Sequence, residues 1–158
     1  MKYILLIALI VVIMIISQGL CRQYRERYAL FDAITEFFRQ MRLNINFQKQ
    51  KIKTILNQAK LKKTNYEIYS SYLSYLEQGT TINLGFAKIL DDSEKDEIIN
   101  MLYSLGKNDA SGELKQLDAY DVYLKDKVET TKREKERLCP MITKLSFLFA
   151  LGLAILFI

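Results

Sequence analysis

Residues 3–21 read YILLIALIVVIMIISQGLC, and residues 22–41, directly behind them, read RQYRERYALFDAITEFFRQM. The first stretch is apolar from Tyr3 to Ile16 without a break. With its flank to Cys21 it meets the roughly 20 mostly apolar residues that a spanning helix needs. In the second stretch and just beyond it, Tyr24, Tyr28, Phe31, Ile34, Phe38, Met41 and Ile45 step by 4, 3, 3, 4, 3 and 4, one continuous helical stripe. We therefore read a single helix from Tyr3 to about Phe47, about 68 Å long at about 1.5 Å per residue, of which roughly half stands clear of a bilayer. This reading makes the protein all-α: a membrane-anchored helical bundle whose long helices continue into N- and C-terminal transmembrane segments.

The other end repeats the pattern. From Leu145 to Ile158 only Ser146 and Gly152 interrupt an apolar run. At about 21 Å this run is short of a hydrocarbon core of about 30 Å, so it borrows Met141, Ile142 and Thr143 while Lys144 snorkels to the head groups. One Lys precedes the N-terminal run, whereas Arg22, Arg25 and Arg27 follow it, and Lys132, Arg133, Lys135, Arg137 and Lys144 precede the C-terminal run. Positive charge stays on the cytoplasmic side, so both ends agree on a two-pass cell-membrane protein with its termini outside and its middle in the cytoplasm. Ser17 and Gly19 make a weak signal-peptidase site, but the same charge asymmetry favours an uncleaved anchor. A lipoprotein signal is disfavoured because Leu20, not a small residue, precedes Cys21. The expected organisation is a transmembrane helix at 3–21, a cytoplasmic helical domain with a stalk at 22–137, and a second transmembrane helix at 141–158.

Composition narrows the chemistry. The chain has no His, which removes Ser-His-Asp and Cys-His catalysis and the commonest metal ligand. Two Cys form neither a disulfide framework nor a structural zinc site. No phosphate loop, nucleophile elbow or dinucleotide fingerprint is present, so we expect no enzyme, no cofactor and no metal. Cys21 and Cys139 fall at the expected membrane boundary, where acylation is conceivable, but with two spanning helices we read them as inert thiols.

Few breakers interrupt the middle, with Pro only at 140 and Gly at 79, 85, 106 and 112. A weaker helix is expected over Lys51–Leu61 and another over Tyr66–Glu77, ended by Gly79. The latter carries Tyr66, Tyr69, Tyr72 and Tyr75, read as core with wet hydroxyls. Thr80–Leu90 reads as a turn or short helical piece. Asp91, Asp92 and Ser93 offer N-caps for a helix through Leu105, with Ile98, Ile99, Leu102 and Leu105 inward and Gly106 as its stop. Asn108 or Asp109 starts the last helix, striped by Leu114, Leu117, Leu124, Val128, Leu138, Ile142 and Leu145. Asp121, Thr131 and Lys135 fall where that seam wants apolar residues, so 125–137 reads as a solvated stalk, and Pro140 is expected to kink or interrupt the helix. The expected shape is a helical hairpin with two long arms entering the membrane and shorter helices packed across the far end.

Charge is divided unevenly. Arg22–Lys63 holds 11 basic and three acidic residues, while Thr64–Lys144 holds 11 basic and 15 acidic. Lys49, Lys51, Lys53, Lys60, Lys62 and Lys63 could bind anionic lipid or nucleic acid, which gives the alternative function of a membrane tether using segment 49–63. A solvated helix face is preferred over nucleic acid because no recognition motif accompanies the lysines. Arg22, Arg25, Arg27, Lys132, Arg133, Arg137 and Lys144 are the candidate membrane-surface contacts, with membrane lipids as their partner. The run Asp91, Asp92, Glu94, Asp96 and Glu97 is read as dipole-favoured acids at a helix start rather than a cation site.

The layout of an N-terminal anchor, an Arg-rich helix, a helical middle, then Leu105-Gly106-Lys107-Asn108-Asp109 leading into Leu114 and Leu117, and a Lys/Arg/Glu stalk feeding a short terminal anchor, resembles the stage III sporulation protein AB family. Asp109 and Leu117 match that family's pattern, with Asn108 and Glu113 standing where the family has Ser and Gln. The resemblance implies a place in the mother-cell membrane around the forespore, in a channel assembly needed for endospore formation. It also implies a head similar to the helical domain of the type II secretion platform protein, a non-enzymatic platform coupling a sporulation ATPase to the other stage III channel proteins. Asp109, Glu113 and Leu117 are then the candidate partner contacts. Whether copies of the chain associate stays open.

Overall fold

The computed structural model describes residues 2–48, 63–85 and 87–157. All regular structure among them is helix: α1 (Lys2–Gln48), α2 (Lys63–Gln78), α3 (Asp92–Ser104) and α4 (Ala110–Phe157). The helix expected over Lys51–Leu61, and the basic run from Lys49 to Lys62 with it, lies outside the described residues. The chain divides into two compact units, Ala29–Val128 and Met1–Tyr28 with Glu129–Ile158. Residues 22–28 and 129–137, expected to belong to the cytoplasmic domain, thus cluster with the apolar helix ends.

The unit Ala29–Val128 is a helical head with one core. Phe31, Ile34, Phe38 and Met41 of the expected α1 stripe are buried, and Phe37 joins them, widening the stripe to an arc that more than one helix can cover. Against it pack Ile68 and Tyr72 of α2, Ile98, Met101 and Leu102 of α3, and Leu117 and Leu124 of α4; Ile99 is only partly buried. Aromatic rings run through this core edge to face, Phe37 on Tyr72 at 6.2 Å, Phe38 on Tyr120 at 5.8 Å and Tyr75 on Tyr103 at 4.9 Å between centroids. Such pairs add about 0.5–1.5 kcal/mol each beyond the area they bury.

Capping chemistry sets the helix limits. Gly79 ends α2 with φ +68°, and its N–H donates to the Tyr75 carbonyl at 2.9 Å, a left-handed stop that a side chain would strain. Asp91 caps α3 in a full capping box: its carboxylate accepts the Glu94 N–H at 2.7 Å, and Glu94 accepts the Asp91 N–H in return. The stretch between these helices is irregular yet ordered from within. Ile82, Leu84, Ala87 and Leu90 insert into the core, Ser71 exchanges hydrogen bonds with the Asn83 backbone, and the Ile82 N–H donates to the Tyr103 hydroxyl at 3.1 Å.

The unit Met1–Tyr28 with Glu129–Ile158 pairs the first part of α1 with the second part of α4. Cys21 faces Cys139, and the Lys135 ammonium sits 4.0 Å above the Tyr28 ring, so the two helices run antiparallel. The seam is made of small side chains, Ser17, Cys21, Thr131, Cys139 and Ala150 all being buried, as helices that pack without large apolar knobs require. Thr131, assigned from its polarity to a solvated stalk, is therefore a seam residue, because close approach selects for size before polarity. Lys135 likewise lays itself over an aromatic ring instead of extending into solvent. Pro140 does not interrupt α4, which continues to Phe157. Pro140 is itself exposed, and so is Glu136, whose carbonyl loses its helical donor there and can be met by solvent.

Both long helices are long and apolar enough to cross a membrane, and only 11% of the most apolar window of each is buried within the protein. Ile7, Ile15, Ile16, Phe147, Leu148 and Ile155 each present more than half of their surface. A soluble core helix would hide them, so this pattern suits helices whose solvent is lipid.

Candidate functional site

The segment that carried the family resemblance, Leu105 to Leu117, forms the turn between α3 and α4, and it is built by local hydrogen bonding. Gly106 turns the chain with φ +79°, and its N–H donates to Glu113 Oε1 at 3.0 Å. Asp109 caps α4, accepting the Gly112 N–H on its carboxylate at 3.2 Å and the Glu113 N–H on its carbonyl at 2.9 Å. Asn108 donates to Gln116 at 2.7 Å, Gln116 donates to the Tyr120 hydroxyl at 2.6 Å, and Tyr120 pairs with the Ser104 hydroxyl at 2.7 Å. Leu-Gly-Lys-Asn-Asp is thus a closing device. Its polar atoms tie the end of α3 to the first two turns of α4.

Of the three candidate partner contacts, only Asp109 offers its side chain to solvent. Glu113 is 3% exposed and Leu117 is 1% exposed. Their burial has a plain cause: Glu113 turns inward to satisfy the Gly106 N–H, and Leu117, one turn on, shares that inward face. Glu113 Oε2 and the Tyr72 hydroxyl are both buried with no hydrogen-bond partner among the described residues. Burial pushes the Tyr72 hydroxyl well above its ordinary range, and the neighbouring Glu113 charge pushes the same way. The wet hydroxyl expected for this tyrosine is a dry one.

A second polar set lies in the unit formed by the apolar ends. Arg22, Arg25, Lys132, Arg133, Arg137 and Lys144 are exposed and Arg27 half-buried, so every candidate membrane-surface cation has at least part of its side chain outside the seam. Arg22 is bonded to Glu26 at 2.5 Å and Arg133 to Glu129, both one turn along their own helix. Between these cations and the apolar ends, each cysteine thiol donates to the other's backbone carbonyl at 3.5 Å. The Thr143 hydroxyl donates to the Cys139 carbonyl at 2.9 Å.

Among the described residues, no group of three or more His, Cys, Asp or Glu is placed to hold a metal ion. The family model described as stage III sporulation protein AB matches residues 2–158. The chain belongs to the stage III sporulation protein AB family. No curated protein and no solved structure matches it.

In this family member, three features escaped sequence reasoning. The reciprocal cysteines are 118 residues apart, and only the antiparallel register reveals that they meet. The pair Glu94–Lys127, at 3.0 Å with a side chain 3% exposed on the acid, joins α3 to α4. Its acid was read as one of five dipole-favoured residues, and a faint signal was available: Glu94 stands three residues after Asp91, which is capping-box spacing and holds the side chain back toward the helix start. The dry Tyr72–Glu113 neighbourhood had no signal, since one row of tyrosines looks like another until α4 is placed.

Proposed function

We propose that this chain is a non-enzymatic platform of the channel assembly between mother cell and forespore, seated in the mother-cell membrane around the forespore with its head in the cytoplasm, where it couples an ATPase to the membrane complex. The observation that carries the reading is membership of the stage III sporulation protein AB family over residues 2–158. Two physical features support it. Cations gather at the head side of both apolar helix ends, which favours a cytoplasmic head. The head closes its own core and turn with side-chain hydrogen bonds, which suits a rigid docking body more than a catalytic cleft.

The test is deletion of the gene in its own host, counting heat-resistant spores beside vegetative growth. The expected result is a collapse of the spore count with normal growth, followed by co-purification of the sporulation ATPase with the tagged, detergent-extracted full chain. An unchanged spore count overturns the sporulation role. A collapsed count with no ATPase in the purified assembly overturns the coupling role alone.

A further inference from the structure

Beside the cysteine pair, Ile15, Gln18, Gly19, Cys21, Arg22, Arg25 and Thr143 line an open cleft of ≈ 580 Å³. Ile15, Gln18 or Gly19, Arg22 and Arg25 are separated by helical spacings of three and four, so α1 presents them as one face. That face is graded along its length: an apolar side chain at the deep end, an amide and a residue without a side chain in the middle, two guanidiniums at the outer end. Gly19 opens the middle, where an added Cβ would meet nothing within 4 Å. Arg22 engages Glu26 through Nε, which holds the guanidinium in place while its terminal N–H groups remain donors. Thr143 gives its proton to the Cys139 carbonyl and Arg25 also bonds the Cys139 side chain, so the donors available to a ligand in the cleft are those of Arg22 and Gln18 and the remaining N–H groups of Arg25.

We propose that this cleft is a binding site for the head group of an anionic phospholipid, with the phosphate between Arg22 and Arg25 and the first acyl carbons passing Gly19 to lie along Ile15. The inference rests on the reading of both apolar ends as membrane spans. Charge complementarity and the polarity gradient select the occupant. A phosphodiester is acceptor-only and takes charge-assisted bonds from guanidinium, and an amphiphile alone matches a cleft that is cationic at one end and apolar at the other. Free phosphate shares the first property and lacks the second.

The experiment is reconstitution of the full chain into vesicles of equimolar phosphatidylglycerol and phosphatidylcholine, extraction into polymer-bounded discs, and quantification of the lipid retained. Two variants accompany the wild type: Arg22→Gln with Arg25→Gln, which removes the charge, and Gly19→Leu, which fills the cleft and keeps the charge. The wild type is expected to enrich phosphatidylglycerol by about five-fold or more, at about that factor per cation near an anionic lipid. Both variants are expected to retain several-fold less phosphatidylglycerol than the wild type, keeping only what the remaining surface cations attract. Enrichment undiminished by Gly19→Leu is non-specific surface attraction and overturns the cleft as the site. Enrichment abolished by millimolar inorganic phosphate assigns the cleft to a free anion and overturns the lipid. A wild type without enrichment overturns the proposal outright. Flotation of all three chains with the vesicles after carbonate washing separates these outcomes from failure of the membrane reading, in which case the chains do not float.

Discussion

Replacing Lys127 with Met should be among the most damaging single changes in the head, and the reason can be worked atom by atom. Glu94 Oε1 accepts from the Lys127 ammonium at 3.0 Å, its Oε2 accepts the Asp91 N–H, and its side chain is 3% exposed against 29% for Lys127. Breaking a buried pair by removing one partner costs about 3–5 kcal/mol, because a desolvated charge is left behind. Here the capping-box bond stays and the lysine end is partly wet, so the low end applies, about 3 kcal/mol, including about 0.5 for its approach to the Tyr123 ring. Glu94→Gln has one carbonyl oxygen for the two donors, Lys127 Nζ and the Asp91 N–H, so it loses one acceptor contact as well as charge assistance, about 2–3 kcal/mol. In the double variant no buried charge is orphaned, so its cost should fall short of the sum of the two by about 1.5 kcal/mol. The assay is thermal unfolding of the detergent-solubilised full chain. It is followed by far-UV circular dichroism and by tyrosine emission, which no Trp obscures. At about 4–8 °C per kcal/mol for a domain of this size, Lys127→Met should lower the head's Tm by about 12 °C or more. Additivity of the two single changes within about 0.5 kcal/mol would refute the reasoning, since uncoupled sites add to that tolerance.

Tyr72→Phe deletes a buried hydroxyl that has no hydrogen-bond partner among the described residues, and should stabilise the head by about 1 kcal/mol; a loss of similar size would show that the hydroxyl is bonded after all. Because the folded state raises this hydroxyl above its ordinary 10.0, the unfolded chain loses the proton first, so stability is full below about pH 10 and declines above it. Denaturation of wild type and Tyr72→Phe at pH 8 and pH 11 should show the steeper decline in the wild type, and parallel declines would exclude Tyr72 as the source. Copper-phenanthroline oxidation should join Cys21 to Cys139 within one chain, seen as a faster band on a non-reducing gel that Cys21→Ser removes; only slower, dimeric bands would contradict the antiparallel pairing. Residues 22–137 expressed alone should be soluble and cooperatively folded, since the core cluster lies wholly within Ala29–Val128; a molten or aggregated fragment would mean that the head needs its membrane ends.

Local periodicity made most of the fold legible. The α1 stripe, the stops at Gly79 and Gly106 and the caps at Asp91 and Asp109 each follow from residues within a turn or two of each other, and a local cause can be read locally. Thr131 and Pro140 misled for the opposite reason. Whether a threonine is solvated depends on which helix lies against it, and whether a proline breaks a helix depends on whether its freed carbonyl reaches solvent. Cys21 and Cys139 show the limit most clearly, since their meeting is a property of register between distant helices. The candidate site was half legible. The segment Leu105–Leu117 forms the turn between α3 and α4, and two of the three side chains chosen from it, Glu113 and Leu117, face inward.

That inward turn changes how a family pattern should be used. A side chain at a family-pattern position can serve a closing turn instead of a partner, as Glu113 does in accepting the Gly106 N–H. Solvent reaches Asp109, Lys107 and Asn108 around the turn, and Val122 on α4, which is 71% exposed. The two sets remain linked, because Asp109 caps the helix that Glu113 anchors. Charge reversal at Asp109 would then both alter this exposed face and weaken the start of α4, whereas Val122→Lys would alter the face alone. A partner that tolerates Val122→Lys and rejects Asp109→Lys is therefore reading either that charge or the geometry of the turn. Asp109→Asn, which keeps a capping side chain and loses the charge, separates the two.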